Sequence, residues 1–161
     1  MKYLRKIFEN TTQDELQDLC DSYFAYLYDE GFEIRISTGL SEEIYIKIHK
    51  PNAGGPTYNF SWDEIKDYFI PFLQRLLTKV DLYQASYIIK TGILFKYIKP
   101  KHIHHAKANA PWYDYPSEQD TKIFQPTPQQ IINDEILDEP STIYSTAKCM
   151  NHIYEINILV K

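Results

Sequence analysis

Phe32-Glu33-Ile34-Arg35-Ile36-Ser37-Thr38-Gly39-Leu40-Ser41-Glu42-Glu43-Ile44-Tyr45-Ile46-Lys47-Ile48 is the stretch on which the fold turns. Phe32, Ile34 and Ile36 alternate with polar neighbours, and Ile44, Ile46 and Ile48 do so again. A period of two sends successive side chains to opposite faces, so each half reads as a strand with one apolar and one wet face. Thr38–Gly39 supplies a turn between them, and the two strands are predicted to pair as an antiparallel hairpin.

Upstream, a helix is predicted from about Gln13 to Glu30. Thr12 and Glu15 have the spacing of a capping box, and Leu16, Leu19, Cys20, Tyr23, Phe24 and Leu27 recur at steps of three and four. Gly31 provides a left-handed residue to end it. Downstream, Lys50 to Thr57 reads as a loop punctuated by Pro51, Gly54, Gly55 and Pro56, with Tyr58 to Phe60 as a short third strand. Ser61 and Glu64 form a second capping box, ahead of a helix from Trp62 to about Lys79 that turns Ile65, Phe69, Phe72, Leu73 and Leu76 inward. Pro71 removes one hydrogen bond from it, so a kink there or a break just before is expected. Ser86 to Ile98 reads as a second hairpin around Lys90–Thr91–Gly92. Residues 99–126 are irregular and punctuated by proline. Thr127, Pro128 and Gln130 open a third helix that carries Ile131, Ile132, Ile136 and Leu137 and must stop before Pro140. Ile143 to Ala147 and Ile153 to Val160 close the chain as strands. Helices alternate with hairpins rather than with single strands. The expected class is therefore α+β: two layers, a largely antiparallel sheet built from hairpins, and about three helices packed on one side.

A chain of 161 residues is the size of one domain, and no internal repeat divides it. Its fourteen tyrosines, eight phenylalanines and two tryptophans suit half-buried sheet faces and interfaces, and equally an A/T-rich genome. Cys20 and Cys149 are too far apart in sequence to suggest a disulfide framework, and Cys20 falls on the apolar stripe of the first helix. Met1 to Asn10 is charged and lacks the apolar core of a signal peptide. No apolar run has the length of a membrane span. A cytoplasmic protein without a membrane partner is the expectation. The net charge is −5, but it is unevenly placed. Leu82 to Tyr113 contains no acid, whereas Asp114, Glu118, Asp120, Asp134, Glu135, Asp138 and Glu139 follow with Lys122 as the one basic residue among them. The two stretches read either as a steering surface or as faces that pair with each other.

Gly31, Gly39, Gly54, Gly55 and Gly92 build neither a phosphate-binding loop nor a dinucleotide turn, and no serine sits in a nucleophile elbow. Asp14/Asp18 and Asp63/Asp67 are paired carboxylates on helix faces expected to be wet. That is the wrong setting for acid–base chemistry, which needs two carboxyls in differing environments. Glu64-Ile65-Lys66 has the letters of a nuclease motif, but Glu64 is committed as a helix cap. The one constellation with metal-ligand chemistry is His102, His104 and His105 with Cys149 and His152. His102 and His104 project to one side of an extended segment, and a C-x-x-H turn can offer sulfur and nitrogen to the same zinc ion. Set against it is the plainer reading of surface histidines on a basic loop, with no cofactor. Lys96, Lys99, Lys101 and Lys107 interleave with Phe95, Tyr97, Trp112, Tyr113 and Tyr115, the composition of a stacking platform for nucleic acid. The acidic total and the absence of Arg from that segment count against it.

The opening Met1-Lys2-Tyr3-Leu4-Arg5-Lys6-Ile7-Phe8-Glu9-Asn10, with Tyr26-Leu27-Tyr28-Asp29-Glu30-Gly31-Phe32-Glu33-Ile34 and Phe60-Ser61-Trp62-Asp63-Glu64-Ile65-Lys66-Asp67, resembles small uncharacterised proteins of tailed bacteriophages with A/T-rich genomes. The likeness covers about residues 1–75 and carries over no catalytic residue. It implies a viral gene product, in the particle or acting on the host. Taken together, the expectation is a non-enzymatic phage accessory or virion-associated protein that binds a host or virion protein, with Trp112, Tyr113 and Tyr115 as candidate anchors. The alternative is a zinc- or nucleic-acid-dependent protein, enzymatic or not, centred on His102, His104 and His105.

Overall fold

The computed structural model describes residues 2–40, 43–52, 55–58, 60–82, 92–98, 121–135 and 153–160. The first helix, α1, runs from Lys2 to Asp29, not from Gln13. A Thr-x-x-Glu pair marks a helix start only where the first N–H groups lack partners. Inside a helix already under way those groups bond carbonyls four residues back, and Thr12 is interior. The end of α1 is as predicted. Gly31 adopts φ 88°, Phe32 N–H donates to Leu27 O at 2.9 Å, and Gly31 N–H donates to Tyr28 O at 3.1 Å. These are the two bonds of a Schellman motif, which turns the chain sharply into the sheet.

The predicted hairpin is present as β1 (Glu33–Thr38) and β2 (Ile44–Asn52), antiparallel, with Ile34 opposite Ile48 and Ile36 opposite Ile46. The segment read as a loop at Lys50 to Thr57 is instead the tip of another hairpin, because β2 continues to Asn52 and pairs with β3 (Gly55–Tyr58). The register shifts between Lys50 and Asn52, at Pro51, which has no N–H to give a ladder. Phe60 forms an isolated bridge to Ile153. The capping box that opens α2 (Trp62–Leu77) is complete: Ser61 N–H donates to Glu64 Oε2 at 2.6 Å, and Glu64 N–H to Ser61 Oγ at 3.3 Å. Pro71 does not break α2. The carbonyl it deprives of a partner belongs to Asp67, an exposed residue where water can serve it.

Next come β4 (Ile93–Ile98), β5 (Thr121–Phe124), α3 (Pro128–Ile132) and β6 (Ile153–Val160). The stretch 99–126 is therefore not irregular throughout, since its residues 121–124 pair with β4. From Phe95 to Tyr97 both edges of β4 are occupied, by β5 and by β6. Residues 83–91, with the first half of the hairpin expected at Ser86 to Ile98, lie outside the described ones, as do Ile136, Leu137 and the strand expected at Ile143 to Ala147. The third helix stops at Ile132 rather than running towards Pro140, because Asp134 takes the left-handed conformation at φ 56°. Its N–H donates to Ile131 O at 3.0 Å and that of Glu135 to Gln130 O at 2.8 Å, a second Schellman end.

All described strand pairings are antiparallel, in the order β1-β2-β6-β4-β5, with β3 on the far end of β2. The central strand is β6, and a register shift in its pairing with β4 falls between Lys96 and Tyr97. One face of the sheet assembles Ile34, Ile36, Ile44, Ile46, Ile48, Ile93, Phe95, Ile156, Ile158 and Val160 by register alone. The helices cover that face. Trp62 and Phe69 of α2 bring their rings to 5.6 and 6.1 Å from Phe95, and Phe24 of α1 packs at 4.5 Å on Phe72. The fold is α+β, two layers over one core. Each fully buried side chain of α2 contributes roughly 1.5–3 kcal/mol of hydrophobic burial.

Candidate functional site

The outer side of the helical layer carries a seam between α1 and α2. Tyr23 meets Phe72 and Tyr26 meets Tyr68, while Glu15, Asp18 and Ser22 share a groove with Arg75 and Lys79. As the numbers rise along α1 they fall along α2, so the two helices are antiparallel neighbours. The groove has a volume of about 340 Å³ and is floored by Leu19 and Tyr23. Its walls differ in sign: α1 contributes the carboxylates Glu15 and Asp18, and α2 with the turn that follows it the cations Arg75 and Lys79. All four side chains are exposed, and none joins an ion pair within 4.0 Å among the described residues. Further along the seam, Tyr26 is 53 % exposed and stacks on Tyr68, with ring centroids 5.3 Å apart and planes inclined by 18°. An exposed ring braced by a half-buried one is a rigid contact area at little conformational cost, the kind of surface that anchors protein interfaces.

The other face of the sheet carries polar side chains, as the alternation predicts, but its centre is not wet. His49 and Glu155 are each only 5 % exposed. Lys47 Nζ lies 3.3 Å from Glu155 Oε2, and Asn157 Nδ2 donates to Glu155 Oε1 at 2.6 Å. Beside them His49 Nε2 lies 3.4 Å from Glu33 Oε2, and Arg35 Nε donates to Glu33 Oε1. The hydrogen bond from Arg35 holds the Glu33 carboxyl below its usual range. His49 Nδ1 is buried without a hydrogen-bond partner. Burial, then the Lys47 charge, push the imidazole below its ordinary value of 6.5, against the pull of Glu33.

A neutral His49 is thus the form that the folded state favours. The unfolded chain binds a proton first as pH falls, so stability is complete above about pH 6.5 and declines through the lowered folded value. Urea midpoints measured from pH 7.5 downward are expected to fall in that window, and His49→Gln is expected to flatten the decline there. Glu33 titrates from its ordinary 4.5 downward, so its loss of stability comes at lower pH and persists in the variant. A wild-type midpoint that is constant between pH 7.5 and 5 would contradict this assignment.

Most of the candidate site residues drawn from sequence fall outside the described part of the structure. Trp112, Tyr113, Tyr115, His102, His104, His105, Cys149, His152, Lys99, Lys101 and Lys107 lie outside the described residues. Lys96 is in β4, opposite Glu155 and Ile123 in register, but its side chain is outside the described ones. Asp14, Asp18, Asp63 and Asp67 are exposed, and Glu64 is held in its cap, as expected. Cys20 is fully buried, and burial, with a lesser effect of Asp21, pushes its thiol up to about 12. Such a thiol is a small apolar core residue rather than a nucleophile. The seam itself escaped the sequence reading. The signal that would have found it is an aromatic residue on the polar arc of each of two helices: Tyr26 falls outside the inward stripe of α1, and Tyr68 outside that of α2.

Among the described residues no three or more His, Cys, Asp or Glu side chains cluster to hold a metal ion, and no helix is long and apolar enough to cross a membrane. No known protein family, curated protein or solved structure is matched by this chain.

Proposed function

We propose that the protein is a non-enzymatic binding protein, a phage accessory or virion-associated factor, that acts through protein–protein contacts made by the outer face of its helical layer. The observation that carries this reading is the Tyr26–Tyr68 stack, an exposed ring on a half-buried one, at the end of the charged α1–α2 groove. Charges on the sheet are engaged with neighbouring side chains: Glu155 with Lys47 and Asn157, and Glu33 with Arg35. In the seam, by contrast, described side chains offer both aromatic area and charge outside any ion pair. The viral setting rests on the sequence resemblance over about residues 1–75.

Site-specific photo-cross-linking tests it. A benzophenone side chain in place of Tyr26 is expected to yield protein adducts in host or infected-cell extract, and one in place of Arg35, on the opposite face of the domain, is expected to yield few. Equal labelling from both positions would remove the helical face as the binding surface.

A further inference from the structure

We infer that one partner of this seam is a second copy of the same chain, docked about a two-fold axis that runs along the groove. The inference rests on the binding-face reading above and names the partner. Its warrant is the arrangement of charge. A two-fold axis parallel to two antiparallel helices lays α1 of one copy over α2 of the other at the same level along the seam. Glu15 and Asp18 then stand over Arg75 and Lys79 of the partner subunit, and Arg75 and Lys79 over Glu15 and Asp18 of the partner subunit. At the other end Tyr26 meets Tyr68 of the partner subunit, aromatic on aromatic. The same operation therefore matches both charged walls and the tyrosine stack. A groove with walls of one sign would repel its own copy.

The contact that results is a four-helix layer between two sheets, with helix pairs packing in the manner of a bundle. Its charged pairs are solvent-exposed at one end of the contact, with the tyrosines at the other, so they set orientation and register more than affinity, and added salt weakens them.

Sedimentation velocity over a concentration series reads the outcome. Wild-type protein is expected to pass from monomer to dimer as concentration rises. The double variants Glu15→Lys/Asp18→Lys and Arg75→Glu/Lys79→Glu are each expected to weaken the dimer at least roughly tenfold, since reversal sets like charges face to face. Mixed in equal amounts, the two variants regain opposite walls and are expected to form a heterodimer close to wild-type strength. All four positions are exposed, so the variants keep the wild-type melting transition, which serves as the folding control. A wild type that stays monomeric, charge variants that dimerise as tightly as wild type, or a mixture that fails to pair would each overturn the inference. A monomeric wild type that still cross-links from position 26 to another protein removes the second copy and leaves the binding face. Monomers without such cross-links remove both.

Discussion

Trp62→Ala is expected to cost about 3–5 kcal/mol of folding stability, the range for deleting a large buried aromatic side chain. Trp62 is 1 % exposed and sits where three elements meet. Its ring lies edge-on to Phe69 of its own helix and to Phe95 of β4, each at 5.6 Å, and its Nε1–H donates to Asp134 Oδ1 at 2.8 Å. The substitution opens a cavity between α2 and the sheet and also strips a partner from the left-handed residue that ends α3. Trp62→Phe divides the two effects. It keeps most of the ring and loses the hydrogen bond, for which about 0.5–1.5 kcal/mol is the expected loss. Urea unfolding of both variants against wild type provides the measurement. Domains of this kind hold about 5–15 kcal/mol in total, so the alanine variant should be visibly destabilised at room temperature. A loss below about 1 kcal/mol in Trp62→Ala would mean that Trp62 is not the joint between the two layers.

How much of this was legible from the sequence follows from how local each cause is. The β1–β2 hairpin was readable because its pattern is a strict alternation over two runs, and a slip of one residue would send every isoleucine to the wrong face. The start of α2 was readable because both halves of its cap lie within four residues. The start of α1 was misread for the converse reason: Thr12 and Glu15 satisfy the cap pattern, but the helix through Lys2 to Thr11 supplies the partners that the cap would have supplied. Strand β5 has only Thr121 to Phe124, too short to show a period, and it is a strand because β4 offers it an edge. The end of α3 at Asp134 is fixed in part by Trp62 and Lys66, distant in sequence, and no local signal foretells a non-glycine residue there. The candidate seam was invisible for the same kind of reason. Tyr26 and Tyr68 each look like a solvated residue on its own helix, and only the antiparallel packing of α1 on α2 puts one ring on the other.

The buried polar pair in the sheet leads to the second large effect. Lys47→Met is expected to destabilise the fold by about 2–4 kcal/mol, somewhat below the loss for a fully buried pair because Lys47 keeps a third of its side chain exposed. The cost arises at Glu155, not at position 47: the carboxylate stays buried, retains the amide of Asn157 and loses the Lys47 ammonium. Glu155→Gln removes the charge in place and leaves an amide that can still engage Asn157, so its cost is expected to be the smaller of the two. Combining Lys47→Met with Glu155→Leu removes both charges, and the double variant is expected to be more stable than the sum of its single variants by about 1–3 kcal/mol. Urea unfolding around this cycle checks it, and strictly additive losses would show that the two charges do not interact. The physical point lies in that non-additivity. A glutamate on the central strand, 5 % exposed, needs compensating groups around it, Lys47 among them, so the polar face of this sheet is held in register by charge where its other face is held by isoleucine.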